Sequence, residues 1–332
     1  MLFKEKDIRD PDVLQNYFDL VAKDSAKMLA SNEALENISP KKWGLGDTIV
    51  EFEKGGYNYE KCLDTGTLIV NPRPKFDALM HFYASSESGK YWVNEFFMPK
   101  MEARRKKIFK PRAEFVNNRF SFLKDMKVGD IGAGFGLFID ELQRLNDSHL
   151  NIEAIEPSHD MAAICLEKGI KVNENMLENL VGKTDKYDLL TSFELFEHLH
   201  DPLVFLEDCY KLLNPGGYLL ITTLNSHGFD IQVLWENSNS IFPPHHLNFF
   251  NPVSMKCIMA LAGFENIEIA TPGELDLDIV KNYYESGATG IPRFLDSMIK
   301  YAPDEVLANY QQFLKSNNMS SHMRVIVQKP SA

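Results

Sequence analysis

From about residue 127 onward, short apolar runs alternate with longer segments in which apolar residues recur every three to four positions. The short runs predict β-strands and the periodic segments predict amphipathic α-helices. Strands and helices that alternate in this way form a parallel, doubly wound sheet. The predicted strands are 127–132, 151–156, 170–173, 187–193, 218–224, 265–271 and 322–329.

The helix boundaries carry recognisable sequence signals. Phe138, Leu142 and Leu145 are spaced to form the buried stripe of the first helix. Asn251 is a typical N-cap, and Pro252 suits the first turn of the helix that follows it. These signals predict that the alternating domain covers residues 119–332.

Three segments depart from the alternation. Residues 1–118 contain helical patterns and a hairpin-like stretch, and we interpret them as an N-terminal cap or substrate region. Residues 225–250 form a long loop, and residues 272–317 form a helical insertion before the last strand. Long connections in compact domains are usually lids or binding loops. We therefore expect these segments to cover a substrate, with a homodimer interface as the alternative for 272–317.

Composition narrows the choice of partners and compartment. The 332-residue chain has a net charge of −12, which disfavours broad electrostatic binding to DNA, RNA or anionic lipid. Its first residues lack the apolar core of a signal peptide. Cys165, Cys209 and Cys257 lie in apolar helical patterns and are expected to be reduced core residues. We expect a cytoplasmic protein with no nucleic-acid or membrane partner.

A glycine-rich turn follows the first predicted strand. A dinucleotide-binding turn of the form G-x-G-x-x-G would need a third glycine at Leu137. The pattern is instead D-x-G-x-G-x-G, beginning at Asp130, and it resembles motif I of the class I S-adenosylmethionine (SAM) methyltransferases. The resemblance implies that Gly132, Ala133 and Gly134 pass under the amino-acid part of SAM. It also implies that Asp130 meets the SAM ammonium group directly or through water.

Further cofactor contacts follow from the same resemblance. Glu156 ends the second predicted strand, 24 residues after Gly132, where the family uses a carboxylate to accept both ribose hydroxyls. The neighbouring Pro157 and Phe193, at the end of the fourth strand, are expected to contact SAM. Leu177 is expected to pack against the adenine.

Two later segments make the resemblance more specific. Residues 187–202 read YDLLTSFELFEHLHDP and residues 214–223 read NPGGYLLITT. Both are similar to segments of the ubiquinone-type O-methyltransferase branch, methyltransferase types 11 and 23. The resemblance covers roughly residues 125–265 and the final strand. It implies a Rossmann-like sheet of seven strands with an antiparallel last strand. It also implies that SAM is converted to S-adenosylhomocysteine (SAH) when the methyl group is transferred.

Candidate catalysts follow the fourth and fifth strands. In such sheets, ligands bind at the carboxyl ends of the strands. Glu194 lies there, and His246 lies in the loop after strand five. A hydroxyl nucleophile benefits from a general base, so His246 is the first candidate for a base or substrate contact, and Glu194 is the second. The alternative role for His246 is to anchor its loop.

The same residues raise the question of a metal. The E-x-x-E-H spacing of Glu194, Glu197 and His198, with the later His246, resembles the magnesium site of small-RNA 3′-end 2′-O-methyltransferases. Two carboxylates and two imidazoles are suitable divalent ligands. Relatives of the ubiquinone type share this sequence, however, and there the pair 197–198 has a simpler use as a helix cap. A divalent metal is therefore an alternative that we do not expect.

A basic stretch precedes the domain. Residues 100–112 contain seven basic residues and one acid on a predicted helix. We expect a solvated helix face, with contact to a phosphate-bearing substrate as the alternative.

These observations predict a SAM-dependent methyltransferase that acts on a small molecule. The expected reaction is O-methylation of a sugar, a nucleotide-sugar or another cell-surface precursor. One alternative is a metal-assisted RNA 2′-O-methyltransferase. The other is a non-catalytic SAM-binding or scaffold protein, because no single residue in the sequence is an unambiguous catalyst.

Overall fold

The computed structural model describes residues 4–31, 34–120, 122–146 and 150–331. In chain order the strands are β1 (Leu35–Glu36), β2 (Thr48–Lys54), β3 (Tyr57–Cys62), β4 (Leu68–Val70), β5 (Arg73–Pro74), β6 (Lys127–Ile131), β7 (Asn151–Ile155), β8 (Lys171–Asn173), β9 (Tyr187–Phe193), β10 (Leu213–Leu224), β11 (Asn248–Phe249), β12 (Glu265–Ala270) and β13 (His322–Gln328). The α-helices are α1 (Pro11–Leu29), α2 (Phe76–Ser85), α3 (Glu87–Tyr91), α4 (Met101–Arg104), α5 (Lys110–Arg119), α6 (Leu137–Leu145), α7 (His159–Glu167), α8 (Pro202–Leu212), α9 (Phe229–Leu234), α10 (Pro252–Leu261), α11 (Asp276–Glu285), α12 (Arg293–Tyr301) and α13 (Asp304–Ser316).

A seven-stranded sheet organises the second half of the chain. Its strand order is β12-β13-β10-β9-β6-β7-β8. The pairs from β10 through β8 are parallel, whereas β13 runs antiparallel to both β10 and β12. The predicted Rossmann-like sheet with an antiparallel last strand is confirmed. Because β6 lies between β9 and β7, its carboxyl end is at the point where the strand order reverses, which is where such sheets bind ligands.

Both faces of this sheet are buried. Leu189 and Leu190 are adjacent in β9 and fully buried, yet they belong to different hydrophobic clusters, because successive strand residues point to opposite faces. The cluster of Leu189 also contains Val116 from α5, together with Phe138 from α6. Helix α5 therefore packs into the core of the sheet although it crosses residue 118. The division of the chain at that residue stays a prediction.

Several local expectations need correction. Leu145, the last residue of α6, is 42% exposed, because the buried face of this helix ends with Leu142. Cys257 is exposed, since the buried face of α10 is formed by residues at other helical positions, such as Ile258. Strand β10 begins at Leu213 and not at the predicted residue 218, and a register shift before Tyr218 accommodates the Pro-Gly-Gly sequence at 215–217.

The loop and the insertion are both attached to other parts of the molecule. Strand β11, within 225–250, pairs with β4 and so completes a four-stranded sheet of order β11-β4-β3-β2. Helices α11 to α13 of the insertion share a hydrophobic cluster with α9, in which Val280 and Leu314 are fully buried. Among the described residues, none of the helices combines the length and apolar character needed to cross a bilayer.

Candidate active site

The glycine turn between β6 and α6 brings bare backbone to the carboxyl edge of the sheet. Gly132 and Gly134 have φ angles of 68° and 55°, in the left-handed region that glycine adopts without strain. A Cβ on Gly134 would meet no atom within 4 Å, so the space beside this residue is open. Ala133 between them is partly exposed. The turn can therefore approach a ligand closely without obstruction from its own side chains.

Glu156, just beyond β7, faces this turn. Its Oε2 accepts a hydrogen bond from the Gly134 N–H at 2.8 Å, and its Oε1 accepts one from the Ser158 N–H at 2.9 Å. The side chain is 6% exposed, and burial raises the pKa of its carboxyl group, although both amide bonds oppose that shift. A carboxylate oxygen has two lone pairs, so each oxygen can accept a further hydrogen bond from a hydroxyl. Pro157, next to it, is exposed.

Asp130 lies below the turn at the end of β6. It is 2% exposed and accepts a hydrogen bond from Thr191 Oγ1 at 2.7 Å. Burial raises the pKa of its carboxyl group to about 7, although Thr191 and the nearby Arg112 act in the opposite direction. The carboxyl group is thus fixed within the sheet. The contact of this carboxyl group with the SAM ammonium group stays a prediction.

Phe193 and Leu177, the other two predicted cofactor residues, differ in burial, since Phe193 is partly buried and Leu177 is buried. Phe193 ends β9, with its ring centre 4.5 Å from that of Phe138 and 5.0 Å from the Arg112 guanidinium carbon. Leu177 is only 6% exposed and packs in the hydrophobic core with Ile155. Its contact with adenine stays a prediction.

Glu194 follows β9 with a strained backbone. Its φ is 52°, a left-handed conformation that is uncommon for a residue with a side chain. Its N–H donates to the Thr222 carbonyl at 3.0 Å, and its Oε1 accepts from Thr222 Oγ1 and from Arg112 Nη2, each at 2.6 Å. These contacts hold the side chain at the junction of β9, β10 and α5.

The charge of Glu194 follows from its neighbours. Burial would raise the pKa of its carboxyl group, but His322 and Arg112 lower it below the ordinary value. His322 lies with its Nδ1 3.4 Å from Glu194 Oε1, and burial lowers the pKa of this imidazole. The shortest ion-pair contact of Glu194 is the one to Arg112, at 2.6 Å.

A second group of polar side chains lies beyond Glu194. Ligand atoms of Glu197, His198 and His246 all lie within 4.8 Å of one another. The loop reaches this position because the Leu247 N–H donates to the Glu197 carbonyl at 2.8 Å. Of the four residues considered for a metal, these three come together. Glu194 is not a member of the group and is paired with Arg112 instead.

Hydrogen bonds orient the members of this group. His246 Nδ1 is 2.6 Å from the Ser240 carbonyl oxygen, which can only accept, so Nδ1 carries the proton and Nε2 presents a lone pair. Thr223 Oγ1 donates to Glu197 Oε2 at 2.9 Å. Burial raises the pKa of the Glu197 carboxyl group, with a further increase from Glu194, and burial lowers the pKa of His246 to about 4. At neutral pH the imidazole is neutral.

The adjacent histidine has a different environment. The His245 ring is stacked on Phe242, with their centres 5.4 Å apart, and its Nε2 lies 3.1 Å from the Tyr17 hydroxyl. It is 9% exposed and belongs to the packing between α1 and the loop. Within the His-His pair, His246 faces the polar group, whereas His245 anchors the loop.

Sequence reasoning missed several residues of this site. Thr222 and Thr223 end a strand at the ligand-binding edge, and that position was a usable signal. Arg112 belongs to the basic stretch 100–112, for which a solvated face was expected. That expectation is wrong for Arg105 and Arg112, whose side chains are only 11% and 16% exposed. Nothing in the sequence associates His322 with this site, because β13 is far away along the chain.

Comparison with known proteins shows which family the chain belongs to. Residues 102–269, about half of the chain, match the family model described as a methyltransferase domain. A ubiquinone biosynthesis O-methyltransferase from Parvibaculum lavamentivorans is 32% identical over 115 residues, which cover 32% of this chain and 46% of that protein. The corresponding protein of Xanthomonas euvesicatoria pv. vesicatoria is 28% identical over 167 residues, covering 46% of this chain and 68% of that protein. The chain thus spans about half the length of the first of these relatives.

Two solved structures are also similar to part of the chain. A SAM-dependent methyltransferase from Archaeoglobus fulgidus is 17% identical, with a TM-score of 0.46 and coverage of 71% of this chain and 100% of that one. The plantazolicin methyltransferase BpumL, solved in complex with SAH, is 13% identical, with a TM-score of 0.49 and coverage of 76% and 94%.

Proposed function

Since the chain belongs to the methyltransferase-domain family of class I SAM-dependent enzymes, we propose that it transfers the SAM methyl group to a hydroxyl of a small-molecule acceptor. The observation that carries the proposal is Glu156. Its two oxygens are fixed by backbone N–H groups beside an open glycine turn, which is the arrangement needed to accept two adjacent ribose hydroxyls. The acceptor class that we propose is a sugar, a nucleotide-sugar or another cell-surface precursor. The polar carboxylate and imidazole lining beyond Glu194 supports a hydroxyl-rich molecule.

The proposed cofactor contacts divide between two ends of SAM. Glu156 and Pro157 hold the ribose, and Leu177 packs against the adenine. Asp130, Gly132, Ala133 and Gly134 hold the amino-acid end, and Phe193 packs beside it. Glu194 and the group that contains His246 would then line the acceptor side of the bound cofactor.

Methyl transfer from a sulfonium is an in-line displacement, so alignment and exclusion of water supply much of the rate enhancement. In the proposed mechanism, His246 Nε2 would accept the proton of the acceptor hydroxyl as its oxygen forms a bond to the methyl carbon, and the bond from that carbon to the sulfur would break to leave SAH. The hydrogen bond from Nδ1 to Ser240 fixes the tautomer that makes this possible. Glu194 is the second proposed catalytic residue, and Arg112 and Thr222 hold its carboxylate at the end of β9.

We propose that the three segments outside the alternating pattern, residues 1–118, 225–250 and 272–317, close over the bound acceptor. The N-terminal region reaches the site through Arg112 and through Tyr17, which contacts His245. The 225–250 loop supplies His246, and the 272–317 insertion packs on α9 of that loop. A homodimer through the insertion is the alternative role for its exposed surface.

Calorimetry with SAH tests the cofactor part of the proposal, and a SAM-dependent assay on a panel of sugars and nucleotide-sugars tests the acceptor part. We expect binding of SAH and methylation of at least one hydroxylated acceptor. If SAH does not bind, the proposal is refuted. Binding without turnover on any acceptor would instead favour the non-catalytic SAM-binding role.

The group formed by Glu197, His198 and His246 favours a second candidate, a metal-assisted 2′-O-methylation of RNA. The three residues fit a divalent ion, because one carboxylate and two imidazoles converge. Hydrogen bonds from His246 Nδ1 to the Ser240 carbonyl and from the Thr223 hydroxyl to Glu197 Oε2 fix the orientation of two of these side chains. A bound divalent ion would lower the pKa of a hydroxyl coordinated to it. The net charge of −12 disfavours RNA. Assays with RNA and with sugars, each with magnesium, manganese or a chelator, distinguish the candidates.

A further inference from the structure

Glu194 uses only one of its two carboxylate oxygens within the protein. Its Oε1 is 2.6 Å from both Arg112 Nη2 and Thr222 Oγ1, and 3.4 Å from His322 Nδ1. Among the described residues, none forms a hydrogen bond or an ion pair with its Oε2, and 38% of the side chain is exposed. Three neighbours therefore hold one oxygen, and the other oxygen is available to a ligand.

Strand pairing brings His322 to this carboxylate. His322, the first residue of β13, lies opposite Leu224, the last residue of β10. Two positions along, Arg324 lies opposite Thr222. Side chains of directly opposed residues point to the same face of a sheet, and alternate residues of one strand share that face. The imidazole of His322 and the hydroxyl of Thr222 therefore lie diagonally on one face, from which both reach Glu194 Oε1.

The residues just before His322 are held by the helical insertion. Asp276, the first residue of α11, is 1% exposed. Its Oδ1 accepts the Ser321 N–H at 2.7 Å, and its Oδ2 accepts the Ser320 hydroxyl at 2.5 Å. Gln311 of α13 donates to the same Oδ2 at 2.7 Å. One buried carboxylate thus ties two helices of the insertion to the start of β13.

The other side of this segment is held as well. The Asn225 N–H donates to the Ser321 carbonyl at 2.7 Å, and Asn225 Nδ2 donates to the Ser320 carbonyl at 2.8 Å. Packing next to His322 is tight, because a Cβ at Gly273 would lie 3.2 Å from the His322 Cβ. A shift of the insertion would therefore be transmitted to His322, since close-packed segments leave no space to absorb it.

We propose that His322 is a positioning residue for Glu194, and that the insertion acts on the acceptor side through Asp276 and this histidine. The inference rests on the proposed function for the role of Glu194 beside the acceptor. Together with Arg112 and Thr222, His322 fixes Oε1 and leaves Oε2 as the atom that contacts the acceptor. The insertion thereby gains a role beyond that of a lid or a dimer interface, because it sets the geometry of a side chain at the end of β9.

Replacement of His322 tests the positioning role. Asparagine carries its side-chain amide close to the place of Nδ1, whereas leucine has a similar size to histidine and no polar atom. Because a misplacement of about 1 Å can cost about 10²-fold in rate, we expect His322→Leu to lower kcat by about 10- to 100-fold, with the KM for SAM unchanged. His322→Asn should retain most of the turnover. His81→Leu is the control, since His81 is exposed and its ring contacts only Ser85 of its own helix among the described residues.

A double-mutant cycle separates positioning from general destabilisation. If His322 acts through the carboxylate, His322→Leu has no further effect on kcat in a Glu194→Gln background. Additive losses in the double variant would overturn the positioning role. Full turnover in His322→Leu would overturn it too.

Two consecutive glutamines of α13 test the link to the insertion. Gln311→Leu removes a donor to Asp276, whereas Gln312→Leu changes an exposed residue whose amide contacts only its own helix among the described residues. We expect Gln311→Leu to lower kcat by less than His322→Leu does, and Gln312→Leu to leave it unchanged. If Gln311→Leu does not fold by circular dichroism, Ser320→Ala replaces it, because it removes the hydroxyl that donates to the same oxygen. Equal turnover in the two glutamine variants overturns the link.

Histidine NMR keeps this inference separate from the proposed function. The chain has nine histidines, and the ring signal that disappears in His322→Asn identifies His322. We expect this signal to shift in Glu194→Gln and in Gln311→Leu, but not in Gln312→Leu. A wild type that methylates no acceptor refutes the proposed turnover, and the NMR signals still decide the contact. An unchanged His322 signal in either Glu194→Gln or Gln311→Leu overturns the inference.

Discussion

The proposed cofactor side of the site, around Glu156, and the proposed acceptor side, around Glu194 and His246, are held by different kinds of contact. On the cofactor side, Glu156 is fixed by backbone N–H groups 22 residues before it and 2 residues after it. On the acceptor side, Glu194 is fixed by the Arg112 side chain, 82 residues away, and His246 approaches Glu197 from a loop that follows β10. Backbone donors persist when side chains change, whereas long-range side-chain contacts depend on each partner. The cofactor side can therefore remain constant while the acceptor side varies.

The largest expected effect tests the cofactor side. Replacing Glu156 by Ala removes the carboxylate that would accept both ribose hydroxyls. Hydrogen bonds to a charged group contribute about 1.5–3 kcal/mol each, so we expect SAH affinity to fall by roughly 10²- to 10⁴-fold. Calorimetry measures the change. Glu174→Ala is the matched control, because Glu174 is exposed and pairs only with His159 among the described residues. Equal affinity in the two variants would contradict the assignment of Glu156.

The next prediction separates the two adjacent histidines. Removal of a general base typically lowers turnover about 10²- to 10⁴-fold, so His246→Ala is expected to lose turnover by roughly that factor while SAH affinity is retained. His245→Phe should retain turnover, because His245 packs among aromatic rings, and should mainly change thermal stability. Initial rates on the acceptor found by the panel assay, with melting temperatures, measure both effects. The reverse outcome would exchange the roles of the two residues.

A pH effect is expected where the acceptor-side loop meets the insertion. Asp230 of α9 is fully buried, neither of its carboxylate oxygens has a hydrogen-bond partner among the described residues, and burial with the adjacent Asp276 raises the pKa of Asp230 to about 8. The folded state thus holds a proton that the unfolded state releases near pH 4. Wild-type stability should fall as the pH rises from about 4 to 8.

Asp230→Asn removes this titration. Its melting temperature should exceed that of the wild type by an amount that grows across the same pH range, by a few degrees at pH 8. Differential scanning calorimetry from pH 5 to 9 checks it, with Asp304→Asn as an exposed control on α13. A constant difference between Asp230→Asn and the wild type at every pH would rule out a proton held by Asp230 in the folded state.

The smallest expected effect concerns a surface contact between α5 and β12, away from both sides of the proposed site. Arg119 of α5 and Glu268 of β12 form an ion pair, but both side chains are exposed by a third or more. Exposed pairs contribute about 0.2–1 kcal/mol, so a double-mutant cycle with Arg119→Gln and Glu268→Gln should give a coupling energy in this range. Urea unfolding measures it, and a coupling well above this range would show that the pair holds α5 against the sheet.

Much of the sheet could be predicted because its signals are local. Strand β9 begins and ends where the apolar run does, and Asn251 caps α10 through its side chain, as its sequence context indicated. The failures occur where burial depends on distant neighbours. Leu145 and Cys257 have apolar character but lie where no other element covers them. The basic stretch 100–112 was wrongly expected to face solvent, because the sequence does not show that α6 packs against it. Asp140 and Glu141 of α6 form ion pairs with the buried Arg105.

The sequence by itself determined the cofactor class, since the acid, the glycines and Glu156 follow one another along a strand, a turn and the next strand. Their spacing fixes their geometry once the sheet forms. Only the tertiary structure decided which side chains lie on the proposed acceptor side. It brought His246 to Glu197 and Arg112 to Glu194. These contacts join segments far apart in the chain, and they depend on how loops and helices pack, which no local pattern specifies.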